Sequence, residues 1–387
     1  MRNRVDNVFA DGRIRQAFGY VADHEAAIEA DQIRLTQIPA PPFGEEERSR
    51  QFNEELMNLD FSPSTDSIGN VVAAYEGMGH NPVVVGAHLD TIFPASTTLE
   101  LHRKGRTLFL PGISDNGAGL VALLWAFRAA KEAGIHFQRP VIAVGNVGEE
   151  GEGNLRGIRH LFAEPPWPGR ECEFVAVDGA GLQRVTNQAL GSRRFRVRMR
   201  GPGGHSWADF GRPNPVHAIA SAIQGFLGSG VRRVGSSFNF GVIHGGISVN
   251  AIPREAAVEV DLRSIGAGQL EDMEFQLRRV VAEATRAFSV ECKIEAMGDR
   301  PSGTTAVVSD LVQGAVEVTR RFGVEPQPDI GSTDANIPIS VGLPAIAIGG
   351  GGNSGNVHTP EEWFDPSNRE KGIQRLLALI AVLAGLD

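Results

Sequence analysis

The sequence predicts an α/β protein whose mostly parallel sheet carries helices on both faces, with a separate α+β domain inserted into it. Three observations carry this reading. Short apolar runs such as VVVGAH (83–88), VIAVGN (141–146) and FVAV (174–177) have the composition of strands buried on both faces, as in parallel sheets. Helical stretches separate these runs and supply the crossovers that parallel strands require. From residue 188 the grammar changes: RRFRVRMR (193–200) alternates polar and apolar, as a strand with one wet face should.

The elements follow in order. Residues 13–60 read as helical with a break over 38–50, where Pro41 and Pro42 stop one helix and Glu45–Glu47 suit the first turn of the next. NVVAAYEG (70–77), PVVVGAHLD (82–90), PVIAVGNVGEE (140–150) and FVAVDGAG (174–181) read as strands. The turn PGISDNGAG (111–119) opens the amphipathic helix LVALLWAFRAAKEAG (120–134), and NLRGIRHLFAE (154–164) is a further helix. Residues 188–302 then read as strand, helix, two strands, long helix, strand, a βαββαβ unit. The α/β pattern resumes with a helix over 309–323, a strand within 342–351 and a C-terminal helix. Two domains are therefore expected, one discontinuous (1–187 and 303–387) and one inserted (188–302), since a chain of 387 residues exceeds a single compact core.

Bulk composition excludes some classes. Hydrophobic residues make up 42% and charged residues 21%, as in ordinary globular proteins, and the net charge of −9 argues against nucleic acid or an anionic membrane surface as partner. Cys172 and Cys292 make no disulfide framework and no metal motif, which suits a reducing, cytoplasmic setting. The N-terminus has no apolar stretch of signal-peptide length. The longest apolar run, LLALIAVLAGL (376–386), is too short to span a bilayer and reads as a buried helix.

Chemistry collects at the carboxyl ends of the strands, where open α/β sheets place their ligands. His88 and Asp90 end one strand, and positions i and i+2 of a strand share a face. Asp115 lies in the glycine-bracketed turn before a helix, Glu149 and Glu150 end another strand, Asp178 a third, and His358 sits in the loop GGGGNSGNVHTPEEW (349–363). Singly, each has a plainer reading: Asp115 as a helix N-cap, Glu149 and Glu150 as a solvated turn, Asp178 as a turn former. Together, several carboxylates at neighbouring strand ends repel one another unless cations neutralise them. Two imidazoles among them match borderline divalent metals such as zinc, cobalt or manganese, and the set is too large for one tetrahedral ion. Glu149 and Glu150, adjacent on an extended strand, point to opposite faces and need not play the same part.

These motifs, HLD (88–90), GISDNGAG (112–119), GEEG (148–151), VDG (177–179), GPGGHS (201–206), GGISVNAIPREAAVEVDLR (245–263), GSTDAN (331–336) and VHT (357–359), resemble those of the co-catalytic zinc metallopeptidase family. That family includes tripeptidase T, glutamate carboxypeptidase, aminoacylase and the acetylornithine and succinyl-diaminopimelate deacylases. IPAPPFGEEER (38–48) and GSTDAN look most like the tripeptidase-T-like branch. The resemblance implies two divalent ions per chain, zinc first and cobalt or manganese as alternatives. Asp115 would bridge them, His88 and Asp178 would complete one site, and Glu150 and His358 the other. Asp90 would accept from the second ring nitrogen of His88, and Glu149 would be general base and acid toward a metal-activated water. His205 would stabilise the oxyanion, in several relatives from a partner subunit, and Asn250 and Arg263 would hold a substrate carboxylate. The plainer alternatives are a surface histidine for His205 and an ion pair with Glu259 or Asp261 for Arg263. The family also has a cis peptide after its bridging aspartate, here Asp115–Asn116.

The implied activity is hydrolysis of a peptide (amide) bond in small peptides by a zinc-exopeptidase-like fold. The inserted domain would act as a lid and as the contact of a homodimer. The alternative within the same machinery is an N-acyl amino acid deacylase. From other classes come an inactive binding scaffold, which would lack ligands that are all present here, and a dinucleotide binder, whose glycine-rich turns would not carry these acids.

Overall fold

The computed structural model describes residues 1–231 and 233–387. Its chain contacts divide into two compact units, Met1–Ala189 with Thr304–Asp387, and Leu190–Gly303.

In the first unit the strands run in the order Ser64–Thr65, Val71–Ala74, Val141–Asn146, Val83–His88, Glu173–Val177, Ala345–Ile348 and Arg184–Ala189, and Gln327–Gly331 also pairs with Arg184–Ala189. The middle of this sheet is parallel: Val83–His88 pairs in parallel with both Val141–Asn146 and Glu173–Val177, and Ala345–Ile348 continues the run beside Glu173–Val177. Every residue of Val83–His88 and Val141–Asn146 is buried, which is why they read as unbroken apolar runs. Alternation still sorts their side chains: Val83, Val85 and Ala87 pack into one core with the helices Gly117–Glu132 and Arg369–Ala384. Val84 faces the other core, with Leu155, Ile158 and Leu161. Each such valine or leucine removed from water contributes about 1.5–3 kcal/mol. Helices therefore cover both faces, and the four parallel strand ends open on one side. Among the described residues no helix is long and apolar enough to cross a membrane.

The N-terminal region is more helical than expected. Helices span Arg2–Ala10, Gly12–Asp23, Glu25–Thr36 and Glu46–Met57, and Asp11 starts the second by accepting the Arg13 N–H through its side chain.

A small antiparallel sheet was not anticipated. It joins Asn353–Gly355, Trp363–Asp365, Thr107–Phe109 and His102–Lys104 in that order. Its first two strands form a hairpin whose connection contains His358, and Phe364 seals it against Leu108, Leu110, Ile113 and Ala118.

The second unit is a four-stranded antiparallel sheet in the order Ser236–Gly245, Glu255–Ser264, Gly191–Arg200 and Glu291–Arg300. Helices Pro215–Leu227 and Ala267–Phe288 cover one face through a core that includes Val197, Phe226, Leu262 and Leu277. A short ribbon pairs Gly204–His205 with Ala251–Ile252. The ends of each unit meet within that unit. Asn187 and Thr305 exchange hydrogen bonds, the backbone N–H of Thr305 to Asn187 O (2.9 Å) and the Asn187 amide to Thr305 O (2.9 Å). Ser192 and Arg300, at the start and the end of the second unit's sheet in chain order, pair directly.

Candidate metal centre

His88 closes its strand and is 1% exposed. Its Nδ1 lies 3.1 Å from the backbone oxygen of Asp90 and only 3.7 Å from the carboxylate. The backbone carbonyl therefore accepts a hydrogen bond from Nδ1–H and turns Nε2 outward, 3.0 Å from Asp115 Oδ1 and 3.9 Å from Asp178 Oδ1. The fully buried Asp90 carboxylate is engaged elsewhere, since Oδ1 accepts the N–H of Glu149 (2.9 Å) and Oδ2 that of Glu150 (2.7 Å). Residues 88 and 90 come together as their spacing predicts, but the strand ends at 88, and beyond it Asp90 turns toward the neighbouring loop.

Asp115 stands before the helix Gly117–Glu132, and the Asp115–Asn116 peptide is cis. The N-cap is Asn116 rather than Asp115. Its Oδ1 accepts from Gly119 N (3.1 Å) and Gly179 N (3.0 Å), and its amide donates to Val177 O (2.9 Å), which ties this turn to the one carrying Asp178. Asp115 is left free to point both oxygens at imidazoles, Oδ1 at His88 and Oδ2 at His358 Nε2 (3.0 Å).

Glu149 and Glu150 lie beyond the strand, which ends at Asn146; Gly148, at φ +66°, turns the chain between them. Strand alternation therefore does not sort this pair, and their partners separate them instead. Glu150 Oε1 is 2.9 Å from His358 Nε2, whereas Glu149 groups with His88 and Glu150. Glu152, next along, is exposed. Asp178 follows the strand Glu173–Val177.

Among the described residues, ligand-type atoms within 4.8 Å of one another fall into three groups: His88, Asp115 and Asp178; Asp115, Glu150 and His358; and His88, Glu149 and Glu150. The first two share Asp115. The electrostatics fit cations. Burial works against charge on His88, yet the hydrogen bond to Asp115 and the nearby Asp178 and Asp90 carboxylates hold its pKa well above the usual histidine value. Bonds to Asp115 and Glu150 lift that of His358 to about 10. Burial also opposes ionisation of Asp115, but bonds from His358 and His88 outweigh it and keep the carboxyl below the usual range. Burial raises Glu150. These carboxylates demand positive charge between them, and divalent ions held by carboxylates and neutral imidazoles meet that demand.

The remaining expected residues lie in the second unit. His205 and Asn250 are brought together by the ribbon, where Ser206 N donates to Asn250 O (2.9 Å). His205 Nδ1 accepts the N–H of Trp207 (3.2 Å) and Ala208 (3.3 Å), which leaves Nε2 as the proton-bearing nitrogen. Arg263 is not with them: it sits eight residues along the strand from Glu255, about 26 Å at strand rise. Its Nε donates to Asp261 Oδ2 (2.7 Å).

Among the buried polar residues that escaped the sequence reading are Arg48, Asn146, Asp334 and Glu362. Arg48 donates to Thr36 O, Ile38 O and Leu89 O behind the HLD turn. Asn146 donates to Asp334 Oδ2 (2.8 Å) beside His88 on the sheet, and Asp334 is pushed by burial to about 7. Glu362 accepts three backbone N–H groups near Asp115. The available signal was a charge within a stretch already singled out, Arg48 in IPAPPFGEEER and Asp334 in GSTDAN; Glu362 in a loop had none.

A family model described as Peptidase family M20/M25/M40 matches residues 84–382. Among curated relatives, a probable carboxypeptidase of Ajellomyces dermatitidis is 25% identical over 304 residues, 71% of this chain and 67% of the relative. Among solved structures, a tripeptidase from Staphylococcus aureus superposes with TM-score 0.78 at 19% identity, covering 93% of this chain and 98% of that one. A Bacillus subtilis protein described as a dinuclear metal binding peptidase superposes with TM-score 0.69 at 14% identity, covering 94% of this chain and 99% of that one. At these identities the two structures speak for the fold.

Proposed function

The chain belongs to peptidase family M20/M25/M40, and from that membership we propose that it is a dinuclear metallohydrolase cleaving the amide bond of small peptides. The observation that carries the reading is the pair of ligand groups sharing Asp115. His88 and Asp178 would hold one ion and Glu150 and His358 the other, with Asp115 common to both; zinc is the metal this donor set suits first. Such ions, when bound, polarise a scissile carbonyl and acidify a nucleophilic water.

The chain's own residues do the rest. Glu149, set on a turn fixed by Asp90, takes the proton of the attacking water and returns it to the departing amine. His205, with Nδ1 occupied by two backbone N–H groups, offers Nε2–H as a donor to the oxyanion. Asn250, adjacent to it, contacts the substrate's polar end. Because Asp261 already engages Arg263 Nε, a substrate carboxylate would have to share that guanidinium.

We further propose a cytoplasmic homodimer formed through the second unit. Its support is the edge strand Ser236–Gly245, mostly exposed, with Val242, Ile243, Ile247 and Val249 uncovered along it and just beyond.

The test is metal content together with hydrolysis of a free tripeptide and of an N-acetyl amino acid, before and after chelation. About two ions per chain and chelator-sensitive tripeptide cleavage are expected. Cleavage of only the acetylated substrate would make the protein a deacylase. No ions after loading with zinc, cobalt and manganese, and no turnover, would refute the reading.

A further inference from the structure

The turn carrying Asp115 is held by a carboxylate from far along the chain. Glu362 is fully buried. Its Oε2 accepts the N–H of Gly112 (3.0 Å), and its Oε1 accepts those of Ser114 (2.8 Å) and Asp115 (3.0 Å). Three backbone N–H groups, two of them buried and one partly so, would otherwise lack these partners, a costly state for backbone. The backbone of Glu362 is equally committed. Its carbonyl accepts Leu110 N (3.0 Å), and its N–H donates to Thr359 O (3.1 Å), closing the turn that directly follows His358, itself at φ +67°. The next residues, Trp363 and Phe364, pair with Phe109 and Leu108. One residue thus joins two loops more than 200 positions apart in sequence, and those loops meet where His358 Nε2 lies 3.0 Å from Asp115 Oδ2. Glu362 is in none of the ligand groups, so its effect on an ion is indirect.

We propose that Glu362 is a positioning residue that sets the relation of Asp115 to His358 and thereby the affinity of the group Asp115, Glu150 and His358 for its divalent ion. The proposal rests on the metal reading above. It also predicts an unequal effect, because Glu362 joins the loops of Asp115 and His358, two ligands of this group, whereas the group with His88 and Asp178 shares only Asp115 with it.

Glu362→Gln probes it with little change of volume. Glutamine has one acceptor oxygen, so either amide orientation sets an NH2 group against at least one of the three N–H donors. Glu362→Asp keeps the charge but is one methylene too short to reach all three. The experiment titrates Co2+ into the chelated full-length chain and follows visible absorption and calorimetric heat, well below each variant's melting temperature. His358→Ala identifies which of two binding steps belongs to its group. In both Glu362 variants that step should weaken by about tenfold or more, as for other residues that orient ligands, and the other step, which shares only Asp115, should weaken less. Unchanged steps, or equal weakening of both, would overturn the proposal. Absence of any Co2+ binding by the wild-type chain would instead refute the metal reading, and this proposal with it.

Discussion

Asp90→Asn isolates what one buried carboxylate does for the catalytic turn. Asp90 is fully buried, and each oxygen accepts one backbone N–H, from Glu149 at 2.9 Å and Glu150 at 2.7 Å. Asparagine has the same shape and a single acceptor oxygen, so its NH2 group must face one of those N–H donors. The loss combines one charge-assisted bond, about 1.5–3 kcal/mol, with a buried donor left unpaired, about 1–3 kcal/mol. These overlap, so about 2–4 kcal/mol is the working figure. Because the released backbone carries Glu149, the loss should fall mainly on kcat, by about 30- to 1000-fold, with KM little changed. Steady-state kinetics on metal-loaded protein, with a thermal melt as fold control, reads this directly. A pH arm checks the charge. Burial opposes ionisation of Asp90, but the neighbouring His88 imidazole and the backbone N–H groups of Glu150 and Glu149 hold its pKa below the ordinary aspartate value of 3.8. A group depressed in the folded state contributes stability above its unfolded pKa and loses it as pH falls through the folded value. The stability gap between wild type and variant should therefore close in strong acid. Wild-type kcat in Asp90→Asn, or a gap independent of pH, would refute the clamp.

Further outcomes follow from other positions. Glu149→Gln should lower turnover by about 10²- to 10⁴-fold while metal analysis finds the ions retained; near-full activity would remove Glu149 as the base. Burial lifts Asp334 to about 7 from an ordinary 3.8, so in the chelated protein its contribution is fully favourable below 3.8 and is lost as pH rises to 7. Asp334→Asn should accordingly be more stable than wild type at pH 8 and lose that advantage toward pH 4 in thermal melts, whereas parallel profiles would contradict the assignment. A Cβ on Gly372 would lie 2.1 Å from Gly350 O, inside backbone that has no rotamer to yield. Gly372→Ala should therefore cost about 1–3 kcal/mol or more in denaturant unfolding, and an unchanged midpoint would count against this packing.

The strand ends could be read from sequence because fully buried parallel strands write themselves as apolar runs, so a histidine or acid that ends one stands out. His88, Asp115, Glu150, Asp178 and His358 are all legible in this way or by motif. The supports behind them are not. The hairpin around His358 is made of NSG and WFD, three residues each, and pairs with residues 107–109. Long-range pairing of such short strands leaves no local periodicity. Glu362 looks like one more surface acid in PEEW until the turn at 112–115 is seen around it. Asp90 misled for a related reason: its spacing from His88 fixed which neighbours it could reach, but not that two amide donors would reach it first.

The meeting of Asn187 with Thr305 has a consequence for how the chain assembles. For the first unit, residues 190–303 are one very long loop, and closing it is entropically dearer than closing a tight turn by about 0.6 kcal/mol per doubling of length, about 3 kcal/mol in all. The inserted unit removes that penalty by folding, because Ser192 and Arg300 are neighbours in its own sheet. Once that sheet forms, its two ends leave side by side, and the segments on either side are delivered as if joined by a short connector. Order in the insertion thus acts as a splint on the domain it interrupts. An insertion variant slow to form its own sheet would delay pairing of strands whose sequence had not been touched.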